Sequence, residues 1–159
     1  MIYYKDSELI IRDMNLEDAE TITREEIAQG WHASIEKYTD RFRDRTEKNA
    51  VVMMAEYKGN PSGYINVYPD AMWGAFGNQG YPEIVDFGVL EKYRRKGIGS
   101  KLMDVAEEIA SRYSDTVYLG VGLHSGYGSA QRMYVKRGYI PDGSGVWYRN
   151  QVCGQYADC

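Results

Sequence analysis

Cysteine, histidine, phenylalanine and proline are all scarce in this chain: two, two, three and four of 159 residues. The two cysteines, Cys153 and Cys159, both lie near the C-terminus, too few for a disulfide framework. His32 and His124 are far apart, and no zinc-type spacing exists, so no metal centre is expected. The longest purely apolar run, Ala50 to Ala55, is far too short to span a bilayer. Met1-Ile2-Tyr3-Tyr4-Lys5-Asp6 meets charge almost at once, unlike a signal peptide. These absences lead to an expected cytoplasmic location without a membrane partner. Basic residues are also in deficit, 19 against 23 acidic, for a formal net charge of −4. That balance argues against nucleic acid as the main partner. What remains is ordinary for a globular protein, 43% hydrophobic and 26% charged. The length suits a single domain over residues 1–159, burying about 70% of its unfolded surface. One excess stands out: 15 tyrosines, more aromatic hydroxyl than a core alone requires.

Local patterns predict the elements. Residues 7–13 read as an opening strand. Asn15 reads as a helix N-cap, with Glu17, Asp18 and Glu20 supplying the charge that a helix start prefers. That helix is expected from Leu16 to about Ala28, stopping at Gly30. A second follows Ser34, with Ile35, Tyr38 and Phe42 on one face. Strands are expected at 50–57 and 63–68, joined by the turn-rich stretch 58–62, then at 83–90. A helix reaching about Tyr113 carries Leu102, Val105, Ala106 and Ile109 as its apolar stripe. A strand over 116–123, a short helix over 129–137, and two short strands around Asp142-Gly143 complete one α/β domain.

The segment from Glu91 to Lys101 carries the chemistry. Gly97 and Gly99 allow backbone conformations and close approaches that a side chain would obstruct. At the start of a helix, free N–H groups form an anion site reinforced by the dipole. Lys92, Arg94, Arg95, Lys96 and Lys101 make this the most basic stretch of an acidic chain. A phosphate group is the expected ligand. The dinucleotide fingerprint would need a third glycine where Leu102 stands, and the P-loop string is absent.

A buried strand, a four-residue connection, Arg-x-x-Gly-x-Gly and an amphipathic helix together resemble the GNAT superfamily of acyl-CoA-dependent N-acetyltransferases. Arg94, Gly97 and Gly99 match that family's pyrophosphate loop. Downstream, Ala130-Gln131-Arg132-Met133-Tyr134-Val135-Lys136-Arg137-Gly138-Tyr139 echoes a second family motif. The resemblance implies a mixed, mostly antiparallel sheet, splayed at its central strands, with helices on both faces. It implies acetyl-CoA as cosubstrate. The backbone of Phe87, Gly88 and Val89 would pair with the pantetheine arm, and the stretch Arg94, Arg95, Lys96, Gly97, Ile98, Gly99 and Ser100 would hold the pyrophosphate. Ala130 matches the second motif, but Tyr127 stands where the family often has Asn, so a phenol or backbone group would replace the amide contact.

Acetyl transfer to an amine requires a neutral nucleophile, and an amine of pKa ~10.4 is only about 0.04% neutral at pH 7. A general base is therefore valuable, and a phenol can protonate the departing thiolate. Tyr134 aligns with the family tyrosine near the CoA sulfur and is the expected acid. Glu83 and Asp86 are rival bases, with Glu83 favoured. Strand alternation puts them on opposite faces unless a bulge intervenes. Trp31, His32, Tyr64 and Trp73, with Glu25 and Glu26 nearby, are the expected acceptor side, suited to a compact cationic amine. The expected function is direct N-acetylation of a primary amine on a small molecule or peptide. A non-catalytic acyl-CoA-binding regulatory module is the alternative. A homodimer is left open.

Overall fold

The structure is a computed structural model describing residues 1–159. Its six-stranded sheet runs in sequence order: β1 (Ile2–Lys5), β2 (Leu9–Asp13), β3 (Val51–Tyr57), β4 (Asn60–Tyr68), β5 (Glu83–Val89) and β6 (Tyr118–Leu119). All neighbours are antiparallel except β5 and β6, which run parallel. Helices α1 (Leu16–Ala28) and α2 (Ile35–Glu47) cover one face. Helices α3 (Ile98–Ser111) and α4 (Gly128–Lys136) cover the other.

Alternation along the strands divides the core. On β4, Ile65 and Val67 pack with Leu102, Met103 and Ala106 of α3, while Tyr64 and Tyr68 pack with Ile22 and Tyr38 of the opposite pair. The α1 cap is reciprocal. Asn15 accepts from the Asp18 amide at 2.9 Å, and the Asp18 carboxylate accepts from the Asn15 amide at 3.0 Å. Asp18 also receives both terminal nitrogens of Arg12, at 2.7 and 2.9 Å, which ties the helix start to β2.

Several boundaries differ from the sequence expectation, each for a pairing reason. Strand β1, a short run beside the N-terminus, lies outside the expected elements; it is held by Tyr3 donating to Asp13 at 2.7 Å across the pair. The β3–β4 turn is only Lys58-Gly59, both at positive φ, so β4 begins at Asn60. The expected strand at 116–123 shrinks to two residues, since β6 pairs only Tyr118 with Glu83 and Leu119 with Ile84 before leaving the sheet. The last two strands turn at Arg149-Asn150, not around Asp142-Gly143, and form a separate hairpin, β7 (Trp147–Tyr148) and β8 (Gln151–Val152). Cys153 and Cys159, from which no disulfide framework was expected, are joined as a disulfide with Cα atoms 6.5 Å apart. No helix is long and apolar enough to cross a membrane.

Candidate active site

Where β6 departs, β5 keeps a partner on one side only. The Leu90 amide donates to Ser62 on β4 at 2.9 Å. Neighbouring peptide groups on a strand point opposite ways, so the N–H groups of Phe87 and Val89 face the notch opened beside β5. This splay leaves backbone donors and acceptors for an extended arm to pair with.

The notch leads to the basic turn. After Leu90, a short 3-10 turn (Glu91–Tyr93) precedes Arg95 at φ +63° and Gly97 at φ +77°. Gly97 caps α3 in a left-handed conformation that favours glycine, and no side chain caps the first amides of that helix. Gly99 is small for a different reason than the sequence suggested. A Cβ there would meet the Phe87 ring at 3.2 Å, so its missing side chain seats β5 against α3. Lys92 is paired with Glu25 at 2.7 Å and Lys101 with Asp104 at 3.7 Å, whereas Arg94 lies over the Trp31 ring and Lys96 over Tyr57. A cavity of about 260 Å³, lined by the cations Lys96 and Lys101, the carboxylates Asp6 and Glu8, and Leu9, Tyr57, Gly97 and Ile98, opens beside the turn. Uncapped amides, with Arg94 and Lys96 in no ion pair beside them, and open space fit a pyrophosphate.

On the α1–α2 face, a bulge decides the geometry of the acids. Asn66 faces Val85 and Tyr64 faces Gly88, so two residues of β5, Asp86 and Phe87, oppose one of β4. Asp86 takes φ +56°, and the Asn66 side-chain amide clamps the bulge by donating to the carbonyls of Val85 and Asp86 at 3.1 and 3.2 Å. The bulge brings Glu83 and Asp86 to the same face, where Arg41 of α2 lies: its Nε is 3.8 Å from Asp86. Burial pushes the Glu83 carboxyl up to about 7, against the opposing effects of the Tyr118 hydroxyl and the Arg41 charge.

Behind Asp86 lies a buried polar cluster. Glu26, 2% exposed, accepts from Tyr38 at 2.5 Å and from Tyr64 at 3.0 Å. Lys37 reaches Tyr64 at 3.3 Å and Asp86 at 3.4 Å. Arg41 donates to Tyr68 at 2.9 Å, and Tyr68 donates to Asp44. A buried carboxylate is costly to leave unpaired, and these donors account for Glu26. Desolvation raises Tyr38 and Tyr64 well above the usual phenol range and Tyr68 to about 12, so all three stay protonated donors.

The remaining expected residues scatter. Tyr134 is buried in the α3-side core, its ring tilted against Tyr139 with centroids 5.8 Å apart, and its acidity is weakened by desolvation. Tyr127 is half-exposed, its ring against Gly122, and Ala130 packs on the core. Trp31 lies over Arg94, beside the turn. His32 is exposed, and so is Trp73, whose carbonyl accepts from Tyr118 at 2.6 Å. Glu25 and Glu26 separate, one to Lys92 on the surface and one inward. Lys37, Arg41 and Asn66 had no sequence signal. The two cations sit four apart on a helix rich in charge, and Asn66 lies inside a strand.

Comparison with known proteins agrees with this geometry. Residues 14–139 match the profile of the Acetyltransferase (GNAT) family. No curated protein matches. Among solved structures, Ard1 from Thermoplasma volcanium superposes with a TM-score of 0.64 at 24% identity, covering 84% of this chain and 83% of that one. Ribosomal-protein-alanine N-acetyltransferase from Brucella melitensis biovar Abortus 2308 gives 0.65 at 19%, covering 89% and 98%. yncA from Salmonella typhimurium, solved with its cofactor acetyl-CoA, gives 0.65 at 18%, covering 84% and 80%. Those structures share the fold. With the profile spanning most of its length, the splayed strand and the uncapped glycine turn, the chain belongs to the GNAT family of acetyltransferases, whose cosubstrate is acetyl-CoA.

Proposed function

We propose that this chain transfers the acetyl group of acetyl-CoA directly to a primary amine of a small molecule or peptide. The observation that carries the reading is the β5 bulge. It sets Glu83, with its carboxyl raised to about 7, and Asp86 on one face of the strand whose other exposed edge is the notch. A base near neutrality can take a proton from an ammonium and return it to water at working pH.

Acetyl-CoA supplies the activated acyl thioester. The amides of residues 95–100 hold its pyrophosphate, and the notch-facing groups of Phe87 and Val89 align its arm. The Val89 N–H faces the position where negative charge develops on the carbonyl oxygen. Glu83, directly or through a water, accepts the proton of the incoming ammonium, and Asp86 supports the positive charge beside it. Tyr134, which keeps its proton although burial weakens its acidity, is the proposed donor to the departing sulfur. Tyr64 lines the acceptor side, while Trp31 braces the turn through Arg94. Buried acids and tyrosine rings on that side favour a cationic acceptor.

Thiol release from acetyl-CoA, measured against a panel of primary amines, tests the reading. Amine-dependent release is expected. No release with any amine, alongside stabilisation by CoA, would instead support the non-catalytic acyl-CoA-binding module. CoA at ~100 times its Kd should stabilise the fold by about 2.7 kcal/mol.

A further inference from the structure

Lys37 brings a primary amine into the acid cluster. Its Nζ lies 3.3 Å from the Tyr64 hydroxyl, 3.4 Å from Asp86 Oδ1 and 3.9 Å from Glu26 Oε2. The rings of Tyr38 and Tyr64 flank it at 4.6 and 4.7 Å. No polar contact is shorter than 3.3 Å, so several long contacts hold this ammonium, and its side chain is 31% exposed. The same hydroxyl that touches Lys37 lies against β5 at the notch: a Cβ on Gly88 would sit 2.6 Å from it. Gly88 lies between the two residues whose N–H groups face the notch. The amine, the Asp86 carboxylate and the notch-lining strand are therefore consecutive contacts.

We propose that Lys37 is itself an acetyl acceptor, modified by its own chain when acetyl-CoA is present and no external amine competes. The proposal rests on the reading of the β5 notch as the transfer site. One proton of the Lys37 ammonium passes to Asp86, and the Nζ lone pair forms a bond to the thioester carbonyl carbon. The carbon–sulfur bond breaks, the second proton leaves nitrogen, and the thiolate takes up a proton. The products are Nζ-acetyl-lysine, CoA thiol and one proton released to water. The four-carbon stem and the loose contacts permit the short movement that brings nitrogen to attack distance, about 3–3.5 Å. The modification removes the positive charge between Glu26 and Asp86, leaving Arg41 as the cation beside Asp86.

The test incubates the full chain with acetyl-CoA and no amine, then maps acetylation by peptide mass over time. Lys58 and Lys92, whose side chains are 61% and 55% exposed, are internal references for uncatalysed acetylation. Lys37 is expected to be modified at least ~10-fold faster than either reference, at a rate per chain independent of protein concentration. Asp86→Asn should lower that rate by ~10²-fold, in the range of general-base catalysis. Acetylation of Lys58 and Lys92 as fast as Lys37 overturns the proposal, and so does a Lys37 rate that rises with protein concentration. The wild-type rate ratio decides this even where Asp86→Asn fails to fold. CoA stabilisation and amine-dependent thiol release with Lys37 unmodified would sink this proposal and leave the proposed function standing. Absence of any CoA stabilisation overturns both.

Discussion

Burial gives Glu83 the raised carboxyl on which its proposed role as base depends, and a measurable cost. Its carboxyl holds a proton up to about pH 7 in the folded chain, against an ordinary value of 4.5. The folded state therefore binds that proton more tightly than the unfolded one, and the side chain's contribution to stability declines as pH rises from about 4.5 to 7. Glu83→Gln removes the titration, so it is expected to melt higher than wild type at pH 8 and close to it at pH 4. Activity runs the other way. Acetyl transfer should rise with pH through about 7 as the carboxylate forms, and Glu83→Gln should lose that rise with a ~10²-fold fall in kcat. A pH–rate profile showing the same limb in Glu83→Gln would remove Glu83 as the base. For Tyr134, replacement by Phe keeps the ring that packs on Tyr139 and deletes the hydroxyl. Turnover should fall at least ~10-fold while stabilisation by CoA persists; unchanged turnover excludes Tyr134 as the acid.

At the scale of elements, β5 and the start of α3 carry the candidate site, and both depend on left-handed residues. Gly97 at φ +77° is the one that glycine relieves, and alanine there should cost about 1–2 kcal/mol. Because the same residue aims the first amides of α3, Gly97→Ala is expected both to melt lower and to show a smaller shift on adding CoA. A lower melting point with an undiminished CoA shift would separate the turn from pyrophosphate binding. The bulge at Asp86 has no comparable mark in the sequence. Alternation alone separates Glu83 from Asp86, and only the Asn66 clamp and the mismatch with β4 reunite them. The helix ends were legible, since Asn15, Asp18 and Gly30 act through backbone groups a few residues away. Strand ends were not, because a strand exists only where a neighbour pairs with it; residues 120–123, expected as strand, have no partner.

For the molecule as a whole, both core clusters draw only on residues up to Tyr139, which is also where the family match ends. The β7–β8 hairpin and the disulfide add no member to either cluster. It touches the rest through Asn150, which accepts from the Gly74 amide at 2.8 Å. A chain ending at Gly143 is thus expected to unfold in one cooperative transition within a few degrees of the full chain. Loss of cooperativity in calorimetry would show that the tail belongs to the core. The acidic balance of the chain and its basic turn also resolve at this scale. The negative charge is spread over the surface and the buried cluster beside β5, while Arg94, Arg95 and Lys96 meet at one helix start.

The sequence by itself determined the family, the order of the helices and the place of the glycine turn, because each is written in contacts between near neighbours: an N-cap, a helical stripe, glycines at fixed spacing. It also marked Glu83, Asp86, Tyr64 and Tyr134 as chemically able. Tertiary structure alone decided which of these share a space. Glu26, Lys37 and Arg41 come from two helices, and Asn66 and Asp86 from two strands. Their meeting depends on the packing of α1–α2 over a bulged β5, an arrangement fixed by pairing across the sheet and invisible to any local pattern.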